Sequence, residues 1–167
     1  MKPSAADKRL LAVTAARQSR SRTTTIWLRE IERDDLDVTP DHILVLKNGG
    51  PKGGPGMPGM GHAADPQKLV KQGVRDMLRI SDARMSGTSY GACILHVAPE
   101  SFVGGPLAFV QTGDEIEVDV PGRRIHLHVT DEEIGRRRAA WKQRRTTLPA
   151  RLWRALLAAH RPGRRRL

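Results

Sequence analysis

The feature that most restricts the fold of this chain is an alternation of apolar and polar residues on both sides of a Pro-Gly turn. Residues 115–120 precede the turn at 121–124, and residues 125–129 follow it. Alternation with a period of two predicts β-strands, and the short turn between them predicts a hairpin. The residues expected to face the core are Ile116, Val118, Val120, Ile125, Leu127 and Val129.

The residues around this hairpin support two further expectations. His126 and His128 alternate with the apolar positions of the second strand, so we interpret them as solvated histidines rather than as metal ligands. Thr130 is followed by three acidic residues, and Glu133 stands where a capping box requires its acid. This pattern predicts a helix from Thr130 to about Gln143.

Shorter apolar runs precede the hairpin. Residues 41–47 and 77–80 are each interpreted as a buried strand that leads into a segment of small residues. Further apolar runs occupy 91–97 and 107–110. A short helix is predicted from Asp65 and Pro66 to about Gly73, because proline suits the first turn of a helix.

Together these elements define a predicted fold class. Short strands joined by glycine turns favour a small barrel or a sandwich over a doubly wound sheet. We predict a mainly β chain with flanking helices (α+β), built as a small mixed β-barrel of the swivelling-domain type. Residues 25–32 fit a strand or a helix equally well.

The charge distribution separates the chain into three predicted regions. Residues 1–33 hold eight Lys and Arg against three acids, 34–133 hold nine against fifteen, and 134–167 hold twelve against none. The net charge of +11 therefore belongs to the ends, and nucleic-acid binding by the core is not expected. We predict a basic, poorly ordered or partly helical arm (1–33), a central domain (34–145), and a basic amphipathic helix and tail (146–167).

A glycine-rich loop follows the first predicted strand. Residues 46–61 contain seven glycines and three prolines, and the amide groups of such a loop can hold a carboxylate or a phosphate. Its spacing fits neither a P-loop nor a dinucleotide fingerprint. Tight packing of the loop against a neighbouring segment is an equally good interpretation.

A second segment of small residues follows the strand at 77–80. Within it, Ser86 stands between Met85 and Gly87, but no nucleophile-elbow pattern surrounds it. From the local pattern alone, Ser86 is more typical of a turn than of a catalyst. Asp82 and Arg84 are similarly more typical of a local ion pair than of an acid and a base.

The order and spacing of these motifs resemble the C-terminal domain of the dihydroxy-acid and 6-phosphogluconate dehydratase family, specifically its sugar-acid (aldonate) branch. The likeness extends over 35–141. The segments that carry it are Val45–Asn48, Gly50–Pro58, Gly73–Met77, Ile80–Thr88, His96–Glu100, Gly104–Pro106, Thr112–Asp114 and Arg136–Trp141.

The resemblance implies a hydro-lyase that converts a 2,3-dihydroxy carboxylate into a 2-keto acid. In that family an iron-sulfur cluster activates the leaving hydroxyl, Mg²⁺ holds the carboxylate, and a serine alkoxide removes the C2 proton. Ser86 matches this catalytic serine, and Thr88 matches a nearby hydroxyl. Thr88, Gly53 and Gly54 are the predicted substrate-binding residues.

The chain also departs from the family pattern. The family places a magnesium-binding glutamate directly after the Gly-Met-Pro of the glycine loop, where this chain has Gly59. The cluster cysteines and most magnesium ligands of the family belong to an N-terminal α/β domain, whereas this chain has one cysteine, Cys93. We therefore expect no cofactor to be bound by this chain alone, and no metal ligand is assigned.

The predicted function is accordingly that of a truncated sugar-acid dehydratase domain, inactive as an isolated chain. The alternatives are a binding module that uses its basic tails or its carboxylate-cradling loop, and one half of a split dehydratase. Expected partners are an N-terminal dehydratase half or a second copy of the chain, with a sugar acid bound only in the completed enzyme. The sequence has no apolar run long enough to span a membrane, and a cytoplasmic location is expected.

Overall fold

A computed structural model describes residues 14–20, 37–54, 66–86 and 91–144. Only the backbone is described for 14–20. The strands are β1 (Thr14–Arg20), β2 (Ile43–Leu46), β3 (Arg79–Ser81), β4 (Cys93–Ile94), β5 (Glu115–Asp119) and β6 (Arg124–Leu127). The α-helices are α1 (Gln67–Lys71) and α2 (Asp131–Ala140), and short 3-10 helices span Ser101–Val103 and Pro106–Phe109.

The six strands form one mixed sheet in the order β4-β3-β2-β1-β5-β6. Strands β1 to β4 pair in parallel, whereas β5 is antiparallel to both β1 and β6. The mixture of strands and helices agrees with the predicted α+β class. The predicted barrel is not confirmed, because β4 and β6 stand at opposite ends of the strand order in the described residues.

Both faces of the central strand β2 are covered. Ile43 and Val45 belong to a core cluster that contains Leu107 and Ile116, whereas Leu44 and Leu46 belong to a second cluster with Leu69 and Met77. Successive side chains of a strand point to opposite faces, so a continuous apolar run is what a doubly covered strand requires. The strand predicted at 41–47 is confirmed for this reason.

The predicted hairpin is confirmed in β5 and β6, but its apolar face is only partly covered. Ile116 and Val118 are buried, whereas Ile125 is 51% exposed, so its predicted place in the core is wrong. Strand β6 is at the edge of the sheet. The period of two predicts which side chains share a face, but it does not predict how far the layer beneath that face extends.

Two segments differ from their sequence interpretation. The apolar run at 107–110 is largely a 3-10 helix, in which Leu107 and Phe109 are buried. Residues 14–20, which the charge pattern places in a basic arm, form β1 between β2 and β5. Basic residues obscure the strand pattern of this segment, and its pairing partners are distant in sequence.

Helix α2 begins where the capping pattern places it. The Thr130 hydroxyl accepts a hydrogen bond from the Glu133 backbone N–H at 3.3 Å, and α2 ends at Ala140, three residues before the predicted end. The backbone N–H of Glu132, together with the Thr130 hydroxyl, lowers the pKa of the Glu132 carboxyl. A carboxylate in the first turn of a helix also interacts favourably with the helix dipole.

One arginine anchors α2 to the rest of the domain. The two terminal nitrogens of Arg137 lie 2.5 and 3.0 Å from the carboxylate oxygens of Asp114, and one of them donates to the Phe109 carbonyl at 3.0 Å. Its Nε donates to Glu133 at 2.8 Å. The hydrogen bond to Asp114 is the main reason that the pKa of Arg137 is raised.

We expect the substitution Arg137→Ala to lower the free energy of unfolding by about 2–3 kcal/mol, because it leaves Asp114 without its charged partner in a largely buried site. The matched control is Arg136→Ala. The Arg136 side chain is 78% exposed although it pairs with Glu133, and its loss is expected to cost at most about 0.5 kcal/mol. Urea unfolding of both variants measures the difference, and equal losses would contradict the anchoring role.

Candidate functional site

Three loops meet at one edge of the sheet. Strands β2, β3 and β4 run in parallel, so their carboxyl ends lie side by side. The loop 47–54 follows β2, the segment 82–86 follows β3, and residues 95–101 follow β4. The carboxyl edge of a parallel sheet is where open α/β proteins place their ligand sites. The two segments singled out in the sequence therefore become neighbours in space.

Asp82 connects all three loops. Its side chain is buried, with 2% of its residue surface exposed. Oδ1 accepts from the Gly49 N–H at 2.9 Å, and Oδ2 accepts from the backbone N–H of Ser101 at 2.8 Å and from its hydroxyl at 2.6 Å. The Asp82 carboxylate does not form the local ion pair with Arg84 that the sequence pattern suggests. Asp82 instead fixes the distance between the loops.

Glu100 occupies the centre of the glycine loop. Its two carboxylate oxygens accept from the Lys52 N–H at 2.9 and 3.0 Å, and Oε2 also accepts from the Gly53 N–H at 2.9 Å. Consecutive amide groups that converge on an anion form a nest. The loop thus forms the carboxylate cradle that its composition suggests, and a side chain of the same chain fills it.

Glycine is required in this loop because other backbone and side-chain atoms approach so closely. A Cβ added at Gly50 would lie 2.5 Å from Glu100 Oε2, and one added at Gly49 would lie 2.7 Å from Ala83 Cβ. Either contact would force the loop away from β3 or from Glu100. Tight packing and anion binding, which the sequence leaves as alternatives, occur together here.

The predicted site residues are distributed as follows. Ser86 is exposed on the segment after β3. The Gly53 amide donates to Glu100, and the Gly54 amide donates to the Gly50 carbonyl at 2.7 Å, so both amides are used within the chain. Thr88 and Gly59 lie outside the described residues, as do the basic tail at 145–167 and residues 1–13 of the arm.

Left-handed backbone is concentrated at this edge. In the described ranges, three non-glycine residues have a positive φ: Asn48 (61°), His96 (57°) and Arg123 (52°). The first two lie on the loops that leave β2 and β4. The His96 N–H donates to the Ala83 carbonyl at 3.1 Å, which joins its loop to the segment that carries Ser86. Strained backbone of this kind is typical of functional sites.

Sequence reasoning missed the residues that hold the site together. Glu100 and Ser101 are distant in sequence from the loops that they bind, and no local pattern marks them as buried acceptors. The available signal was indirect: a loop of seven glycines needs some partner for its amide groups.

The two cofactors that the family resemblance implies do not fit the residues of this chain that the structure describes. The single cysteine, Cys93, is buried in β4 with its thiol 3.9 Å from the Met85 thioether, whereas an iron-sulfur cluster needs several thiolates. Within the described ranges, no group of three His, Cys, Asp or Glu side chains is arranged to hold a metal ion. Asp82 and Glu100 direct their oxygens to backbone amides rather than to a common point.

The parallel strands, the glycine loop at their carboxyl edge and the serine segment after β3 belong to a domain of mixed α and β structure. Residues 1–162 match the family model described as dihydroxy-acid/6-phosphogluconate dehydratase C-terminal. The chain belongs to this family.

Individual relatives agree with this assignment. The chain is 51% identical over 142 residues to an L-arabinonate dehydratase of Rhizobium leguminosarum bv. trifolii, which covers 85% of this chain and 24% of the relative. It is 56% identical over 111 residues to a 6-deoxy-6-sulfo-D-gluconate dehydratase of Pseudomonas putida, which covers 66% of this chain and 19% of the relative. A dihydroxy-acid dehydratase of Synechococcus sp. is 46% identical over 105 residues. The matched region covers 62% of this chain and 18% of that relative. The chain spans about a quarter or less of the length of these relatives.

Neither α1 nor α2 is long and apolar enough to cross a membrane, and the same holds for every other helix in the described part of the chain. One form of the binding-module alternative depends on the basic tails, which lie mainly outside this part.

Proposed function

We propose that this chain provides the C-terminal domain of a hydro-lyase that dehydrates a sugar acid to a 2-keto acid. Ser86 is the proposed base that removes the proton from C2, and Thr88 is a proposed substrate-binding hydroxyl. The observation that supports this most is the convergence of the glycine loop and the Ser86 segment at the carboxyl edge of β2 and β3.

The chemistry of serine explains why this domain needs a partner. A serine hydroxyl removes a proton from carbon only as an alkoxide, and nearby positive charge is what favours the alkoxide. With a single cysteine, and with Gly59 where the family has its glutamate, the chain lacks ligands for the cluster and the metal ion that the family uses to supply this charge. We therefore infer that the isolated chain is inactive.

The substrate class follows from the relatives. The proteins named L-arabinonate, L-arabonate and 6-deoxy-6-sulfo-D-gluconate dehydratase all act, by their names, on sugar acids. Each is about half identical to this chain over the matched region. A sugar acid is thus the proposed substrate class, and the region that precedes the matched segment in these relatives is the proposed partner, whether on the same or on a separate polypeptide.

A hybrid enzyme tests this proposal. In it, the matched segment of the Rhizobium leguminosarum L-arabinonate dehydratase is replaced by the corresponding residues of this chain. We expect L-arabinonate to be dehydrated when the hybrid carries Gly59→Glu. Without that change, turnover should be about 10–100-fold lower, because loss of a metal-binding carboxylate costs at least as much as loss of its supporting partners.

The unmodified relative is the positive control for the hybrid, and melting curves establish that each protein is folded. A folded hybrid with Gly59→Glu that has no activity would contradict the proposed function. Equal activity with and without Gly59→Glu would show that activity does not need a metal-binding carboxylate at position 59. The role of Ser86 would then be decided by its own substitution.

A further inference from the structure

Two lysines, Lys47 and Lys52, lie on the loop that follows β2, and their environments differ. Lys47 is half-buried, and its ammonium donates to the carbonyls of Val110 and Ala108. Lys52 is also half-buried. In the described part of the chain, no carboxylate lies within ion-pair distance of the Lys52 ammonium. Lys47 thus has a structural task, whereas the Lys52 ammonium has none assigned.

The backbone of Lys52 is held more firmly than its side chain. Its N–H donates to both oxygens of Glu100, at 2.9 and 3.0 Å, and the next N–H donates to Oε2. Glu100 is 8% exposed and follows β4, whereas Lys52 follows β2. Glu100 therefore fixes the point from which the Lys52 side chain leaves the loop, before any ligand is present.

Four amide groups in the described part of this loop are not available for a second anion. Those of Gly49, Lys52, Gly53 and Gly54 donate to Asp82, Glu100 and the Gly50 carbonyl. An anion that enters this edge of the sheet therefore needs a donor other than these four amides. Lys52 is the cationic side chain that the described part of the loop places there without a structural task.

We propose that the Lys52 ammonium binds the carboxylate of the acid on which the site acts, and that Glu100 is the residue that positions Lys52. This inference rests on the proposed function and adds to it a named carboxylate-binding residue. A charge-assisted hydrogen bond between ammonium and carboxylate is the interaction expected. Asp82 and Glu100 are the acidic side chains beneath the loop, and both are buried and hydrogen-bonded to amides. Their negative charge weakens the attraction between the Lys52 ammonium and the carboxylate but does not abolish it.

The test uses the full chain labelled with ¹⁵N and titrated with L-arabinonate. We expect saturable shifts of the amide signals of 47–54, with a dissociation constant of the order of millimolar. L-Arabinitol, which has no carboxylate, should produce no such shifts. Lys52→Gln and Glu100→Gln should each weaken binding by about tenfold or more, whereas Lys71→Gln, at the end of α1, should not change it.

Each outcome bears on the proposal. Unchanged signals of β2 and β3 establish that a variant is folded. Equal affinity of the wild-type chain and Lys52→Gln would overturn the role of Lys52, as would equal shifts with L-arabinitol or no shifts in the wild-type chain. Equal affinity of Glu100→Gln would overturn only the positioning role. The hybrid enzyme decides the proposed function independently of all these results.

Discussion

Replacing Ser86 with alanine in the hybrid that carries Gly59→Glu is expected to lower kcat by about 10²–10⁴-fold, the range typical of a lost general base. KM should change little, because Ser86 is proposed to act on the C2 proton rather than to bind the carboxylate. The side chain is exposed, so the melting temperature should not fall. Steady-state kinetics with L-arabinonate measure both constants.

The matched control for this prediction is Thr112→Ala. Thr112 carries an exposed hydroxyl in the turn before β5 and is not a proposed site residue. Its loss should leave kcat unchanged. If Ser86→Ala retains kcat within about threefold of its parent, Ser86 is not the base, and the turn interpretation of its sequence context is the correct one.

Replacing Asp82 with alanine is expected to have the largest effect on stability. The change removes the acceptor for the Gly49 N–H, the Ser101 N–H and the Ser101 hydroxyl. All three donors would remain in a buried site without this carboxylate. We expect the free energy of unfolding to fall by about 3–5 kcal/mol, measured by urea unfolding of the chain.

Asp119→Ala is the matched control for Asp82→Ala. The Asp119 carboxylate also accepts a backbone hydrogen bond, from Gly122 at 2.9 Å, but in the exposed hairpin turn. Water can replace that acceptor, so the expected loss is about 1 kcal/mol or less. Similar losses for the two variants would show that Asp82 does not hold the three loops together.

The parts of the fold that could be predicted are those with a strong local pattern. The continuous apolar run of β2, the alternation in β5 and the Thr130 cap of α2 each depend on residues close in sequence. Strand β1 could not be predicted, because its place between β2 and β5 depends on pairing with partners 25 and about 100 residues away. The exposure of Ile125 likewise depends on how far the core extends beneath β6, and not on the sequence of β6 itself.

The same distinction between local patterns and contacts distant in sequence applies to the candidate site. The glycine loop and Ser86 were found from composition and from family resemblance, because both are contiguous motifs. Glu100 was not found as a site residue, since its role appears only when β4 lies beside β3 and its carboxylate enters the loop after β2. The predicted cradle for a carboxylate is present, but it encloses Glu100 and not a substrate.

The measurement that most directly tests the proposed role of this domain compares the isolated chain with the hybrid in one assay. Both are supplied with iron, sulfide, Mg²⁺ and L-arabinonate, and formation of the 2-keto acid is followed. The proposed role predicts turnover by the hybrid that carries Gly59→Glu, loss of that turnover with Ser86→Ala, and none by the isolated chain. Turnover by the isolated chain, or an active hybrid that is indifferent to Ser86→Ala, would contradict it.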